Sequence, residues 1–229
     1  MLKKVCLALR SVFGKKKPVE QPNPVTPEIG GFRLGGAFEI DSLMLRLAEP
    51  ELTIEGAATS QIIEAVGVID MGAGTRIVRY YTDDEGYIQV LINGDDDSGI
   101  LEISLWYFYD SRPIDGQQAW DNLLNNEIVK DEYDLEGTTF APHWENDKPV
   151  CLTEKVYNKN GFVKELDSFN MLYSRNLQDD KTEDLLLPHD KTEELLVVGE
   201  ERIANNTPDR LLSRVTGIQL NISDFKVVA

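Results

Sequence analysis

The sequence has only two cysteines, Cys6 and Cys151, and only two histidines, His143 and His189. Two thiols so far apart suggest no disulfide framework and predict free thiols in a reducing cytoplasm. No stretch reaches the roughly 18 apolar residues of a membrane-spanning helix. The apolar run 5–9 is too short for a secretory signal, and no small-residue cleavage site follows it. There is no G-x-S-x-G elbow, no C-x-x-C and no H-E-x-x-H, so the common nucleophile, redox and zinc signatures are missing. Glycine-rich GGFRLGG (30–36) follows prolines rather than a strand, and GAG (72–74) leads into a β-patterned run. Neither has the strand-to-helix setting of a phosphate cradle. Asn93, Asp95 and Asp97 begin like a calcium loop, but Ser98 stands where that loop needs glycine and Ser104 where it needs glutamate. The reading is therefore no catalytic residue, no metal and no cofactor.

Cations are also scarce outside one place. The first 17 residues, MLKKVCLALRSVFGKKK, hold six Lys and Arg and no acid, which leaves 17 cations against 40 carboxylates in the rest, a net charge of −23. Such a body repels a phosphate backbone, so nucleic acid is excluded as its partner. In the first segment Leu2, Val5, Cys6, Leu9, Val12 and Phe13 recur at spacings of three and four, one apolar stripe of a helix. Lys3, Lys4, Arg10, Lys15, Lys16 and Lys17 fall on other faces or at its end, and cations suit a helix C-terminus. The segment suits the headgroup layer of an anionic membrane or a groove on a partner protein. A frayed tail and packing on its own domain are the alternatives.

Pro18, Pro22, Pro24 and Pro27 follow, predicting an extended spacer over 18–29. One domain, 30–229, remains. Its pattern is mainly β (α+β). Phe38 and Ile40, then Leu43, Leu45 and Leu47, sit among Glu39, Asp41 and Arg46, alternation with one phase change, and 61–69 is a second run. Runs 75–81, 87–92 and 100–109, joined by the acidic turns TDDEG and NGDDDSG, read as a meander. The third run becomes apolar on both faces at Trp106–Phe108, as a covered strand does. A helix is expected over 117–126 with Ala119, Trp120, Leu123 and Leu124 buried. A hairpin around NKNG joins 151–157 to 162–173, and 194–203 and 216–228 complete the strands. The expected fold is an antiparallel, meander-rich bent sheet or sandwich with one or two helices. The acidic turns fall at opposite ends of their strands, about 17 Å apart, and read as solvated tips. DKTEDLLLPH (180–189) is echoed by DKTEELLVVG (190–199), where Asp190 and Glu193 fit a capping box; the pair reads as a local turn-and-edge segment.

Several blocks carry a resemblance: GGAFEIDSLMLRL (35–47), QIIEAVGVIDMGAGTRIVRYYTDDEGYIQV (61–90), WYFYDS (106–111) with Trp120, TEKVYN (153–158) and MLYSR (171–175). The sequence resembles the YjfK-like family of uncharacterised bacterial proteins, most specifically around TDDEGYIQV. The resemblance implies a cytoplasmic protein without established activity. It also implies encoding beside phage-shock-like membrane-remodelling proteins, small multispanning membrane proteins and ATP-grasp ligases of the glutathionylspermidine-synthase kind. It carries over no catalytic residue. Two functions follow as expectations. The first is a non-enzymatic accessory module, recruited by its basic segment to the inner membrane or to a membrane-associated protein partner. The second is a binding domain or enzyme for a small molecule such as a polyamine, working with the ligase.

Overall fold

The computed structural model describes residues 26–54, 56–177, 192–204 and 207–228. Within these residues it is built from antiparallel strands: β1 (Ala37–Ile40), β2 (Ser60–Gly72), β3 (Thr75–Thr82), β4 (Gly86–Asn93), β5 (Ile100–Pro113), β6 (Tyr133–Leu135), β7 (Thr138–Pro142), β8 (Val150–Asn158), β9 (Gly161–Asn176), β10 (Thr192–Ala204), β11 (Thr207–Gln219) and β12 (Phe225–Val228). Two α-helices are described, α1 (Ser42–Ala48) and α2 (Gln117–Asn122), the second running into a π turn at Leu123–Glu127, with short 3-10 turns at Glu49–Glu51, Asp97–Gly99 and Ile222–Asp224. The fold is mainly β with two short helices, as the patterning predicts.

The bent sheet closes on itself. Strands run β2-β3-β4-β5-β11-β10-β9, and β8 pairs with both β9 and β2, so eight strands form a barrel. Closure removes the free edges that an open sheet must protect. Beyond one end of β8, β1 pairs with β2 at 60–62 and with β12 on its other side. Beyond the other end, β7 pairs with β9 at 173–174.

Two layers cover the barrel's outer wall. On one side Ile29, Phe32, Phe38, Ile40 and Leu45 pack against Val78, Tyr80, Ile88, Val90, Ile103 and Leu105. On the other, Trp120 and Leu123 of the helical segment, with Tyr133, Leu135 and Phe140 of the β6–β7 hairpin, cover Met171, Tyr173, Leu195, Val197 and Leu212. Burial of this apolar area, at about 25 cal/mol per Å², drives the fold. The folded body takes in the end of the predicted spacer. Ile29 is 1% exposed, and the Pro27 carbonyl accepts a hydrogen bond from Tyr80 Oη at 3.2 Å.

Some expectations need correction. Leu43, Leu45 and Leu47 lie on helix α1, not on a strand: the Asp41 carboxylate caps the backbone N–H groups of Leu43 and Met44, and strong helix formers follow. Glu193 is not a helix-capping residue of a turn-and-edge segment. It belongs to β10, a wall strand between β9 and β11, while 178–191 lie outside the described residues. The last strand run is two strands, β11 beginning at Thr207 and β12 separated from it by a turn at Ile222–Asp224. Ala119 is exposed, and the buried face of α2 is carried by Trp120 and then Leu123. The β6–β7 hairpin has no counterpart in the expected strands.

Candidate functional site

The sequence-predicted contact residues Leu2, Lys3, Lys4, Val5, Leu9, Arg10, Phe13, Lys15, Lys16 and Lys17 lie outside the described residues. Within the described ones, the densest polar chemistry is inside the barrel. Alternation sends every second side chain of a wall strand inward, and these inward positions hold the only fully buried ion pair described.

Arg79 of β3 is 7% exposed and Glu154 of β8 is 1% exposed. Arg79 Nη1 donates to Glu154 Oε2 at 3.0 Å, and Tyr81 Oη donates to Glu154 Oε1 at 2.7 Å. Arg79 Nε donates to Gln89 Oε1 at 3.0 Å, and the guanidinium lies 5.2 Å from the Tyr87 ring centre. Burial works against the Arg79 charge, but facing Tyr87, Glu154 and Tyr81 outweigh it and its pKa rises. Burial also pushes the Tyr81 phenol well up, with Glu154 adding to the effect, and carries Tyr87 up to about 12. Both phenols therefore stay protonated at physiological pH, as donors rather than bases.

Apolar and aromatic side chains fill the space beside this network. Tyr87, Trp106, Leu196, Val198 and Val215 form one buried cluster drawn from β4, β5, β10 and β11. Tyr87 and Trp106 stack at 6.2 Å, and Trp106 Nε1 donates to Ser104 Oγ at 2.8 Å. Two glycines make the packing possible. A Cβ on Gly217 would lie 2.4 Å from Trp106 Cδ2, and one on Gly67 would lie 1.7 Å from Glu154 Oε1. The Gly217→Ala variant is therefore expected to lose about 1–3 kcal/mol by overpacking. Denaturant unfolding, with near-ultraviolet circular dichroism on Trp106, checks this.

The acidic turns are more than solvated tips. Asp84 Oδ2 accepts from the Ala58 N–H at 2.7 Å and from Tyr107 Oη at 3.0 Å, while Asp83 Oδ1 accepts from the Ile62 N–H at 2.8 Å. At the next turn Asp97 Oδ1 holds the Gly30 N–H at 2.8 Å, and Asp95 pairs with Arg76 at 3.2 Å. They clamp neighbouring segments to the two ends of the meander. No group of three or more His, Cys, Asp or Glu with metal-binding geometry occurs among the described residues. His143 is a loop residue whose N–H donates to the Leu172 carbonyl at 2.9 Å. Cys151 is a free, exposed thiol. A shallow depression lined by Leu45, Glu49, Leu52, Ile54 and Ala57 measures about 20 Å³, room for one water.

The chain matches the family described as "Protein of unknown function (DUF2491)" over residues 8–226. It belongs to that family. It is similar to "Uncharacterized protein YjfK" of Escherichia coli (strain K12), with 29% identity over 226 residues, covering 95% of this chain and 96% of the relative. No solved structure matches it. The YjfK-like resemblance of the strand and turn blocks is thus a family membership, and it spans the segments that build this DUF2491 barrel. Among the described residues, no helix is long and apolar enough to cross a membrane.

Sequence reasoning missed the Arg79–Glu154 pair. Arg79 alternates with Val78 and Tyr80, and Glu154 stands between Thr153 and Lys155, so each reads as solvent-facing. The available signal was Gly67, a glycine inside an apolar strand, which marks close approach by another group.

Proposed function

We propose that the protein is a non-enzymatic accessory module, held at the cytoplasmic face of an anionic inner membrane by residues 1–17, whose acidic β body engages a protein partner there. The observation that carries this reading is the segregation of charge: six cations and no acid in the first 17 residues, against a net −23 in the rest. A filled barrel supports it. An eight-stranded barrel holds either its own side chains or one small ligand, and here Trp106, Tyr87, Arg79 and Glu154 occupy the interior. Lysines and arginines near an anionic surface each contribute about 1 kcal/mol of attraction. The apolar stripe supplies insertion, so charge and burial act together.

Flotation with vesicles of equal parts phosphatidylglycerol and phosphatidylcholine tests the reading. The full-length chain is expected to float with these vesicles, to float less as salt rises, and to stay behind with pure phosphatidylcholine. Deletion of residues 1–17 is expected to lower the partition at least tenfold, given about 1 kcal/mol for each cation removed. A full-length chain that ignores anionic vesicles at low salt contradicts the proposal.

A further inference from the structure

The β8–β9 hairpin breaks the charge pattern of the body. From Lys155 to Lys164 its sequence is KVYNKNGFVK, three lysines and no acid, in a domain with more than twice as many carboxylates as cations. Its tip is a tight turn at 159–160, in which Asn158 Oδ1 accepts from the Asn160 N–H at 2.8 Å. On the flanking strands Tyr157 and Phe162 are paired in register, with ring centres 5.8 Å apart. Phe162 is 58% exposed. An exposed aromatic beside exposed lysines is the pairing of apolar and cationic side chains that suits a headgroup layer.

The surroundings extend the patch. Lys159 lies against the 33–36 loop, its Cε 3.2 Å from where a Gly35 Cβ would stand. Arg33 of that loop is half-exposed, and its one described ion pair is a 3.8 Å contact with half-exposed Glu28. Lys155 has a 3.9 Å contact with Glu165, both more than half exposed. Pairs this long and this wet neutralise little charge. Glu28 is also next to the point where the chain enters the folded body, since Pro27 is fastened to Tyr80. The 28–36 loop therefore links the cationic hairpin tip to the residues where the chain enters the folded body.

We propose that Lys155, Tyr157, Lys159 and Phe162, with Arg33 beside them, form a second contact with the anionic bilayer surface. This inference rests on the membrane reading above and names the face of the body that reading would turn toward the lipid. The occupant follows from charge and chemistry. The patch is the cationic exception on a body that anionic lipid otherwise repels, and it carries an aromatic of headgroup-layer type. One weak anchor gives marginal, reversible attachment, and a second raises it multiplicatively. With Phe162 and the lysines at the lipid, the bulk of the acidic surface faces away, free for a protein partner.

The test uses the full chain with Lys155→Gln, Lys159→Gln and Phe162→Ala combined, floated on vesicles of equal parts phosphatidylglycerol and phosphatidylcholine. A Lys148→Gln variant, which removes one exposed cation beyond the opposite end of β8, controls for the loss of a cation elsewhere on the body. The hairpin variant is expected to bind about tenfold or more weakly than wild type, since each lysine contributes about 1 kcal/mol, while Lys148→Gln binds within about twofold. A thermal melt equal to wild type shows that the variant is folded. As a separate readout, a Phe162→Trp variant is expected to show emission quenched by brominated phosphatidylglycerol beyond the wild-type change. Wild-type binding by the hairpin variant, or a tryptophan at 162 that brominated lipid does not quench, overturns this inference and leaves the role of residues 1–17 standing. Failure of the wild-type chain to float overturns both.

Discussion

Replacement of Glu154 by alanine is expected to cost about 3–5 kcal/mol of folding stability, because it leaves the Arg79 charge buried without its counter-ion. Domains of this size are stable by only about 5–15 kcal/mol, so much of the native population is at risk. The geometry makes the loss specific. Glu154 accepts from Arg79 Nη1 and Tyr81 Oη, and both of these donor groups lose their acceptor in a closed barrel. The charge-free double variant Arg79→Met with Glu154→Leu is expected to recover most of the loss, since a well-packed apolar pair is often no worse than a buried salt bridge. Urea unfolding followed by far-ultraviolet circular dichroism measures both. A single variant as stable as wild type would show that the pair is hydrated, and that the barrel interior is not packed as described.

The second large effect depends on pH. Glu194 faces inward on β10, and burial first, then the nearby Glu102 carboxylate, raises its pKa from 4.5 to about 7. A carboxyl group with a raised folded pKa binds its proton more tightly in the folded state than in the unfolded one. Between about pH 4.5 and pH 7 the folded chain therefore holds more protons, and stability falls as pH rises. Below that window the group contributes no penalty; above it the penalty is complete, about 3 kcal/mol for a shift of this size. Glu194→Gln removes the penalty. The variant is expected to match wild type near pH 4.5, and to exceed it by about that amount at pH 8. Urea midpoints measured across the window check the sign, and an unchanged pH profile in the variant contradicts the assignment.

Much of the β architecture was legible in the sequence because strand period and turn chemistry are local. The runs 75–81, 87–92 and 100–109 became β3, β4 and β5, and NKNG became the β8–β9 turn. Barrel closure was not legible. It depends on β8 pairing with β2 as well as with β9, across a separation that no local pattern encodes. Helix α1 was misread because Leu43, Leu45 and Leu47 satisfy strand alternation, while the deciding feature, the Asp41 cap, is a single side chain. The start of β11 was missed because Pro208, Asp209 and Arg210 resemble a loop. In the structure Arg210 is held by Glu201 and lies over the Trp120 ring at 5.1 Å. The inward polar residues were hidden for a related reason. In an open sheet with one wet face, alternate charged positions such as Arg79 belong in solvent; closure turns that face inward, where a charge survives only with a partner.

Recruitment by the first 17 residues is tested most directly by cell fractionation. In its native cell the full-length chain is predicted to sediment with the membrane fraction and to be released by high salt, whereas the chain without residues 1–17 stays in the soluble fraction with an unchanged melting temperature. Equal distribution of the two chains, both entirely soluble, would contradict it.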